Sequence, residues 1–166
     1  MTVKIIKNKQ IEADKLFQLM STLDKETNYM LYQPEERKYD RKKLETFIQN
    51  TSENGLILVA EEDSEYNGYI FAQVTPLTKI KHSAYLVIGV LSDHAGQGLG
   101  SELLAQVIDW ARVSGIHRLE LTVVTENSAA IGLYKKFGFI QEGVKKDSLL
   151  VNGRYYDEFY MARILD

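Results

Sequence analysis

Residues 94–104 read HAGQGLGSELL, and this stretch decides how the middle of the chain is interpreted. Gly96, Gly98 and Gly100 alternate with other residues, and apolar residues with helical spacing begin at Leu99. Glycine lets the main chain approach a ligand closely, and the free N–H groups at the start of a helix attract anions. The stretch therefore predicts a turn that opens a helix and binds a phosphate group.

The composition is typical of a globular protein and excludes several classes of function. The chain has 166 residues, of which 45% are apolar and 26% charged, and its net charge is −3. No long basic stripe occurs, which argues against a nucleic-acid surface. The absence of cysteine excludes disulfides, thiolate zinc sites and a cysteine nucleophile.

The same survey bounds the location and the partners of the protein. Its apolar runs fall far short of the ~20 residues that span a membrane, and its first residues show no signal-peptide core. The three histidines have no spacing typical of metal ligands. We expect a single cytoplasmic domain over residues 1–166, with no nucleic-acid partner, no membrane partner and no metal.

Hydrophobic periodicity predicts an α/β fold with a mixed sheet and the element order βααβββαβαββ. The runs Thr2 to Lys7 and Ala84 to Leu91 are typical of strands, the second covered on both faces. Asn152-Gly153 predicts a hairpin between the last two strands, and Tyr66-Asn67-Gly68 predicts a turn between two earlier ones. Gly89 indicates either a bulge or a close backbone approach.

Three familiar phosphate loops do not fit the glycine turn. A Walker loop needs Gly-Lys-Ser/Thr, which the chain lacks. The dinucleotide fingerprint G-x-G-x-x-G would need its last glycine at Ser101 or Leu103, and no acidic ribose partner is evident. A kinase loop fails for the same reason, and the chain has neither HRD nor DFG. Taken alone, the turn is equally consistent with a connection that binds nothing.

A second motif decides between these alternatives. The segment Asn127-Ser-Ala-Ala-Ile-Gly-Leu-Tyr134-Lys-Lys-Phe-Gly-Phe139 lies one helix and one strand after the turn. With Gly98-x-Gly100 it resembles the GCN5-related N-acetyltransferases, whose motifs are R/Q-x-x-G-x-G/A and N-x-x-A-x-x-L-Y-x-x-x-G-F. The tail, residues 142–165, is similar to the last hairpin of many members. One residue departs from the pattern: Ala95 stands where the family's Arg or Gln reaches the pyrophosphate of acetyl-CoA.

The resemblance implies a set of cofactor-binding residues. The pyrophosphate would be bound by consecutive backbone N–H groups, those of Gly96, Gln97, Gly98, Leu99, Gly100 and Ser101. Main-chain groups of Ile88 and Val90 would pair with the pantetheine arm as an added strand does, and an N–H there would meet the oxyanion. Asn127 would cap its helix and also contact the pantetheine.

The resemblance also implies that Tyr134 is the general acid that protonates the departing CoA thiolate, although its place on an apolar face also fits a packed core tyrosine. The acceptor amine must lose a proton before it attacks. Several side chains are candidates for the base, namely Glu120, Glu126, His82, Tyr85 and Asp157. Glu120 alternates with Leu119 and Leu121, so it faces the other side of the sheet, where it could equally be solvated or ion-paired.

The acceptor is expected beside the loop between the first two helices, by analogy with relatives. Aromatic residues there, with one methionine, could hold an amine by cation–π contact or simply plug the sheet edge: Tyr29, Met30, Tyr32 and Tyr39. The acceptor stays open among a small amine, an amino sugar, a protein N-terminus and a lysine. A homodimer is common in relatives and is expected here only by analogy.

We therefore expect an acetyl-CoA-dependent N-acetyltransferase that transfers an acetyl group to a primary amine by direct attack in a ternary complex, because no cysteine can form an acyl-enzyme. The alternative is a catalytically silent CoA-binding regulatory or sensor module. Tyr134 favours the enzyme, whereas Ala95 leaves the alternative open.

Overall fold

The computed structural model describes residues 3–166, and its elements follow one another in the predicted order. The strands are β1 (Lys4–Lys7), β2 (Leu56–Glu62), β3 (Glu65–Val74), β4 (Ser83–Val90), β5 (Arg118–Val124), β6 (Ile140–Val151) and β7 (Arg154–Ile164). The helices are α1 (Ala13–Glu26), α2 (Arg41–Asn54), α3 (Leu99–Val113) and α4 (Ser128–Lys136). One-turn 3-10 helices precede α1 and the glycine turn, at Asn8–Gln10 and Ser92–His94. The predicted first strand began at Thr2, which lies outside the described residues.

One mixed sheet of seven strands runs through the molecule, in the order β1-β2-β3-β4-β5-β7-β6. All neighbouring strands are antiparallel except β4 and β5, which are parallel because α3 crosses over between them. The mixed α/β sheet predicted from the sequence is thereby confirmed.

The parallel pair opens after a short contact. Strands β4 and β5 pair at three positions, from Ser83 opposite Arg118 to Tyr85 opposite Glu120, and then diverge. On its other edge β4 stays paired with β3 up to Val90. The main-chain groups of residues 86–90 that point towards β5 therefore have no strand partner, and a wedge-shaped gap opens in the middle of the sheet.

Each face of the sheet has its own hydrophobic core. Helix α3 packs on one face through Leu103, Leu104 and Val107, which are fully buried. Helices α1 and α2 pack on the opposite face, where Leu16 and Ile48 are buried against Ile57. The helices on each side carry one apolar stripe, as the periodicity predicted.

The predicted turn at Tyr66-Asn67-Gly68 is wrong, because these residues belong to β3. The chain turns earlier, at Asp63 and Ser64, which have φ values of 51° and 67°. Gly68 pairs with Val90 in the sheet, and a Cβ there would come within 3.3 Å of the carbonyl oxygen of Gly89. The glycine at 68 thus serves close packing between strands, and two polar residues with positive φ make the turn.

The structure shows no bulge at Gly89, and the atoms packed against this residue belong to side chains and not to another backbone. The pairing of β3 with β4 runs without a register shift past Tyr69 opposite Gly89. A Cβ at Gly89 would meet Leu23 Cδ1 at 2.8 Å and Tyr69 Cε1 at 2.9 Å, so any larger residue would force these two side chains to shift.

The last two strands form the predicted hairpin. Asn152 and Gly153 have φ values of 51° and 77°, as a two-residue turn of this kind requires. The pairing of β6 with β7 contains two register shifts, one of them between Lys145 and Leu149.

No helix in the described part of the chain combines the length and apolarity needed to cross a membrane.

Candidate active site

A cavity of about 1290 Å³ occupies the gap between β4 and β5 and extends over the face that carries α1 and α2. Its walls come from α1, α2 and the loop between them, from β3 and β4, from the glycine turn with the start of α3, from β5 and α4, and from the β6–β7 hairpin. The sheet opening therefore joins two chambers, one beside the glycine turn and one beneath the α1–α2 loop.

The glycine turn presents a row of free backbone donors to this cavity. None of the N–H groups from Gly96 to Ser101 donates a hydrogen bond to an acceptor among the described residues, and the first helical bond is that from Glu102 N to Gly98 O, at 2.9 Å. Gly98 is the N-cap of α3, and no side chain caps the helix there. Free N–H groups at the positive end of a helix, which here has 15 residues, favour the approach of an anion.

The conformation of the turn explains why glycines are needed. Gly96 and Gly98 have φ values of 75° and 83°, and a Cβ at either would meet no atom within 4 Å. The space in front of the turn is therefore open to a ligand. Of the predicted residues, Gly96, Gly98, Leu99, Gly100 and Ser101 line the cavity. Gln97 does not, since its side-chain amide donates to Asp93 O at 3.3 Å.

Ile88 and Val90 lie where the sheet opens. Both line the cavity, and both are half-buried against the core on the α3 face. Because β5 has turned away at this point, the main chain of β4 is free to pair with an extended ligand. Ala95 also lines the cavity, so the position where an arginine or glutamine was expected contributes only a methyl group.

Tyr134 reaches the cavity from α4, on the opposite side of the gap. Its ring packs against Phe139, with 5.8 Å between ring centroids, and its side chain is buried. Burial raises the pKa of the Tyr134 phenol, and the nearby hydroxyls of Tyr69 and Tyr85 raise it further. The phenol therefore keeps its proton at neutral pH, as a proton donor must.

Asn127 caps α4 as predicted. Its Oδ1 accepts a hydrogen bond from Ala130 N at 3.3 Å, and the residue lines the cavity on the same side as Tyr134. The cap fixes the start of α4, and with it the position of Tyr134 two turns later.

Glu120 does not lie in the cavity. Its carboxylate accepts a hydrogen bond from Arg118 Nε at 2.7 Å, and Arg118 also binds Glu142. Arg118, Glu120 and Thr122 share one face of β5, but only Thr122 is far enough along the strand to reach the gap. The structure therefore brings Glu120 into a surface ion-pair cluster and not to the site.

The other candidates for the base are divided in the same way. Glu126 is bound to Arg154 and Asp157 to Lys146, at 3.0 Å and 2.9 Å, and neither lines the cavity; nor does His82. Tyr85 does line it, with its hydroxyl 2.8 Å from the hydroxyl of Thr122.

Sequence reasoning missed the charged side chains that line the cavity, among them those of Glu158 and Arg37. The pairing of β5 with β7 places Glu158 opposite Val124, on the sheet face that carries Thr122 and Tyr85. Its carboxylate accepts a hydrogen bond from Ser148. Arg37 lies in the α1–α2 loop, binds the buried Asp24 at 2.8 Å and 3.2 Å, and stacks on the Tyr32 ring. No local sequence pattern predicts that either residue lies in the cavity.

The α1–α2 loop covers the second chamber, and Tyr29, Met30, Tyr32 and Tyr39 all line the cavity, as expected. The Tyr29 hydroxyl reaches across the gap to Glu126 O at 3.4 Å. Within residues 3–166 no group of three or more histidine, aspartate or glutamate side chains is arranged to hold a metal ion.

A family model described as "Acetyltransferase (GNAT) family" matches residues 17–139. A curated relative, the L-amino acid N-acetyltransferase AaaT of Escherichia coli, is 39% identical over 64% of this chain and 67% of its own length. The spermidine N(1)-acetyltransferase of Vibrio cholerae is 30% identical over 58% of this chain and 56% of its own length. The chain thus spans about two thirds of the length of the first relative and a little more than half of the length of the second.

Solved structures match over almost the whole chain. A GNAT-family acetyltransferase from Streptococcus pneumoniae has a TM-score of 0.93 at 27% identity and covers 99% of this chain and 100% of its own. An acetyltransferase from Salmonella typhimurium, solved with its cofactor acetyl-CoA, has a TM-score of 0.86 at 23% identity and covers 100% of this chain and 94% of its own. At that lower identity the likeness concerns the fold.

Proposed function

The chain belongs to the acetyltransferase (GNAT) family, and on that premise we propose that it is an acetyl-CoA-dependent N-acetyltransferase acting on a primary amine. One observation carries the proposal: a single cavity holds a row of free N–H groups at the start of α3 and, across the sheet opening, the protonated phenol of Tyr134. We propose that residues 1–166 form one domain. We also propose that the protein acts in the reducing cytoplasm, where acetyl-CoA is available and where a protein needs no disulfides.

The residues present fit the proposed cosubstrate. The free N–H groups from Gly96 to Ser101 offer donors to both phosphates of a pyrophosphate, and the glycines leave room for them. The unpaired edge of β4 at Ile88 and Val90 suits an amide-containing arm. Bound acetyl-CoA would supply an acetyl thioester, whose C–S bond breaks as the amine nitrogen forms the new C–N bond.

Tyr134 donates the proton that the departing sulfur needs. Burial holds its pKa well above the ordinary value, so the phenol is protonated whenever the substrates bind. An N–H of the β4 edge near Ile88 stabilises the negative charge on the acetyl oxygen during attack. The acceptor nitrogen starts as an ammonium and loses two protons, one before attack and one as the amide forms, while the thiol gains one from Tyr134. One proton is therefore released to solvent in the net reaction, and Tyr134 regains its own from the other.

The proton of the amine leaves on the side of β5. Tyr85 is the sequence-predicted candidate that lines the cavity, and its hydroxyl is 2.8 Å from that of Thr122. Glu158 provides a carboxylate on the same sheet face. We assign these groups, in place of Glu120, to the removal of that proton.

Calorimetry with acetyl-CoA, followed by a thiol-release assay with a mixture of primary amines, tests the proposal. We expect binding, and thiol release that depends on the amine. The Gly98→Val variant should bind acetyl-CoA at least roughly tenfold more weakly, and the Tyr134→Phe variant should keep binding while its kcat falls roughly 10–100-fold. Binding without amine-dependent thiol release would instead establish a catalytically silent module, and absence of binding would reject both.

A further inference from the structure

The chamber beneath the α1–α2 loop has an apolar, largely aromatic wall. We call it the aromatic chamber, and it is formed by Phe17, Met20, Met30, Tyr39, Phe47 and Phe71. The rings contact one another in pairs: Phe17 and Tyr39 have centroids 4.7 Å apart, and Phe47 and Phe71 have centroids 5.1 Å apart. Such a surface gains free energy when an apolar group displaces water from it.

The charges around the cavity do not suit a polycation. The lining residues include four side chains that are cationic at neutral pH, those of Arg37, Lys38, Lys43 and Lys145, and two carboxylates, those of Asp40 and Glu158. Both carboxylates already accept hydrogen bonds, Asp40 from Lys43 N at 3.1 Å and Glu158 from Ser148. Arg37 is paired with Asp24, so three lysines face two carboxylates around the cavity. A second amino group on the acceptor would therefore meet more positive than negative charge.

The roof of the chamber is tied down at several points. Arg37 holds the loop to the buried Asp24 of α1, and the Tyr39 hydroxyl bonds to Asp14 of the same helix. At the far side the Tyr29 hydroxyl reaches Glu126 O. A roof anchored at both ends and across the gap admits a small molecule more readily than a folded protein surface.

We infer that the acceptor is a small primary amine bearing a single amino group next to a large apolar group, which fills the aromatic chamber. The inference rests on the proposed N-acetyltransferase function and names its substrate class. Arylalkylamines and apolar amino acids share this chemistry and differ in a carboxylate, which the cations of the chamber would tolerate. Polyamines, amino sugars and protein lysines are excluded by the charges, the apolar wall and the anchored roof.

An acceptor panel at saturating acetyl-CoA tests the inference through kcat/KM, measured by thiol release. The probes are 2-phenylethylamine, L-phenylalanine, L-alanine, spermidine, glucosamine and a lysine peptide. We expect one or both phenyl-bearing amines to exceed every other probe by about 10–100-fold, since burial of a phenyl group contributes that much. Comparison of the first two probes decides whether the carboxylate is required.

A variant of the wall checks that the chamber is responsible. Phe47 is half-buried, so Phe47→Ala should fold, and we expect it to lower kcat/KM for the phenyl-bearing amines about tenfold while that for L-alanine and the KM for acetyl-CoA stay within about twofold. The matched control is Trp110→Ala, which removes a half-buried aromatic ring from α3 outside the cavity and should leave the preference unchanged.

The outcomes separate the two proposals. If acetyl transfer occurs but spermidine, glucosamine, L-alanine or the peptide is preferred, the inference is overturned and the proposed function stands. If Phe47→Ala lowers kcat/KM equally for all acceptors, the chamber does not select the substrate and the inference again fails. If no probe releases thiol although acetyl-CoA binds, the proposed function fails, and the inference falls with it.

Discussion

Replacement of Tyr134 by phenylalanine tests whether its hydroxyl is a catalytic group or a structural one. The ring of Tyr134 packs against Phe139 in the core, and phenylalanine keeps that packing. Among the described residues no hydrogen bond is made by the Tyr134 hydroxyl, so its removal leaves no protein group unpaired. We therefore expect the melting temperature to change by less than about 2 °C.

The effect on turnover follows from the chemistry of the leaving group. A thiol with a pKa near 8.5 leaves tolerably without help, so the loss of a general acid should cost less than its usual maximum. We expect kcat to fall roughly 10–100-fold, which corresponds to about 1.4–2.7 kcal/mol of transition-state stabilisation. The KM for acetyl-CoA should stay nearly constant, because the interaction is made mainly in the transition state.

The assay measures kcat by thiol release and the melting temperature on the same preparation. Tyr66→Phe is the matched control, because the Tyr66 hydroxyl accepts a hydrogen bond from Glu12 N at 2.9 Å and lies outside the cavity. That variant should lose about 1 kcal/mol of stability and keep its kcat. Full kcat in Tyr134→Phe, or a fall in stability like that of the control, would refute the reasoning.

The remaining predictions concern the anion site and a surface ion pair. Gly98→Val should raise the Kd for acetyl-CoA, measured by calorimetry, at least roughly tenfold, because the methyl groups of valine enter the open space in front of the turn. The control is Gly115→Val: Gly115 also has a positive φ, 75° against 83° for Gly98, but lies outside the cavity, so this variant should share only the backbone strain of about 1–3 kcal/mol. Equal Kd values in the two variants would contradict the assignment of the turn to the phosphates. Ala95→Arg should lower the KM for acetyl-CoA several-fold, through a contact of about 1 kcal/mol, and should make this KM more dependent on salt. Ala95→Glu should raise the same KM. An unchanged KM in both variants would show that this position does not face the phosphates. The hydrogen bond and the charge of Arg118 hold the pKa of Glu142 below its ordinary value. At pH values above the ordinary pKa the ion pair therefore contributes its full stabilisation of the fold, and this contribution is lost as the pH falls through the lower pKa of the folded state. Glu142→Gln should therefore lower the melting temperature by about 1–2 °C at pH 7, and the difference from the parent protein should shrink as the pH falls below the ordinary glutamate pKa of 4.5 and vanish once Glu142 is protonated in the folded state. A difference that persists after this protonation would exclude the ion pair as its cause.

Much of the fold could be predicted because its signals are local. The positions of the helices follow from apolar residues spaced three and four apart, and the turn at Asn152-Gly153 from residues that tolerate positive φ. The glycine turn is of the same kind, since its free N–H groups belong to the backbone at the start of α3. Even so, Asn67-Gly68 carried the same local signal as the true hairpin and lies inside β3, where pairing with β4 overrides it.

The features of the candidate site are also of two kinds, those set by nearby residues in the sequence and those set by tertiary contacts. The sequence by itself determined the order of the elements, the glycine turn at the start of α3, the cap at Asn127 and the presence of Tyr134 on an apolar helix face, because each depends on residues within one or two turns of chain. Only the tertiary structure decided which charged side chains share the cavity. Glu120 and Glu158 are both acidic residues on strands, but the divergence of β4 from β5 places one beside Arg118 and the other at the opening. The pairing of Arg37 with Asp24 and the narrow space over Gly89 likewise depend on how α1 and its following loop lie on the sheet. Such contacts are set by strand order, register and helix docking, which join residues far apart in sequence and leave no mark on the residues nearby.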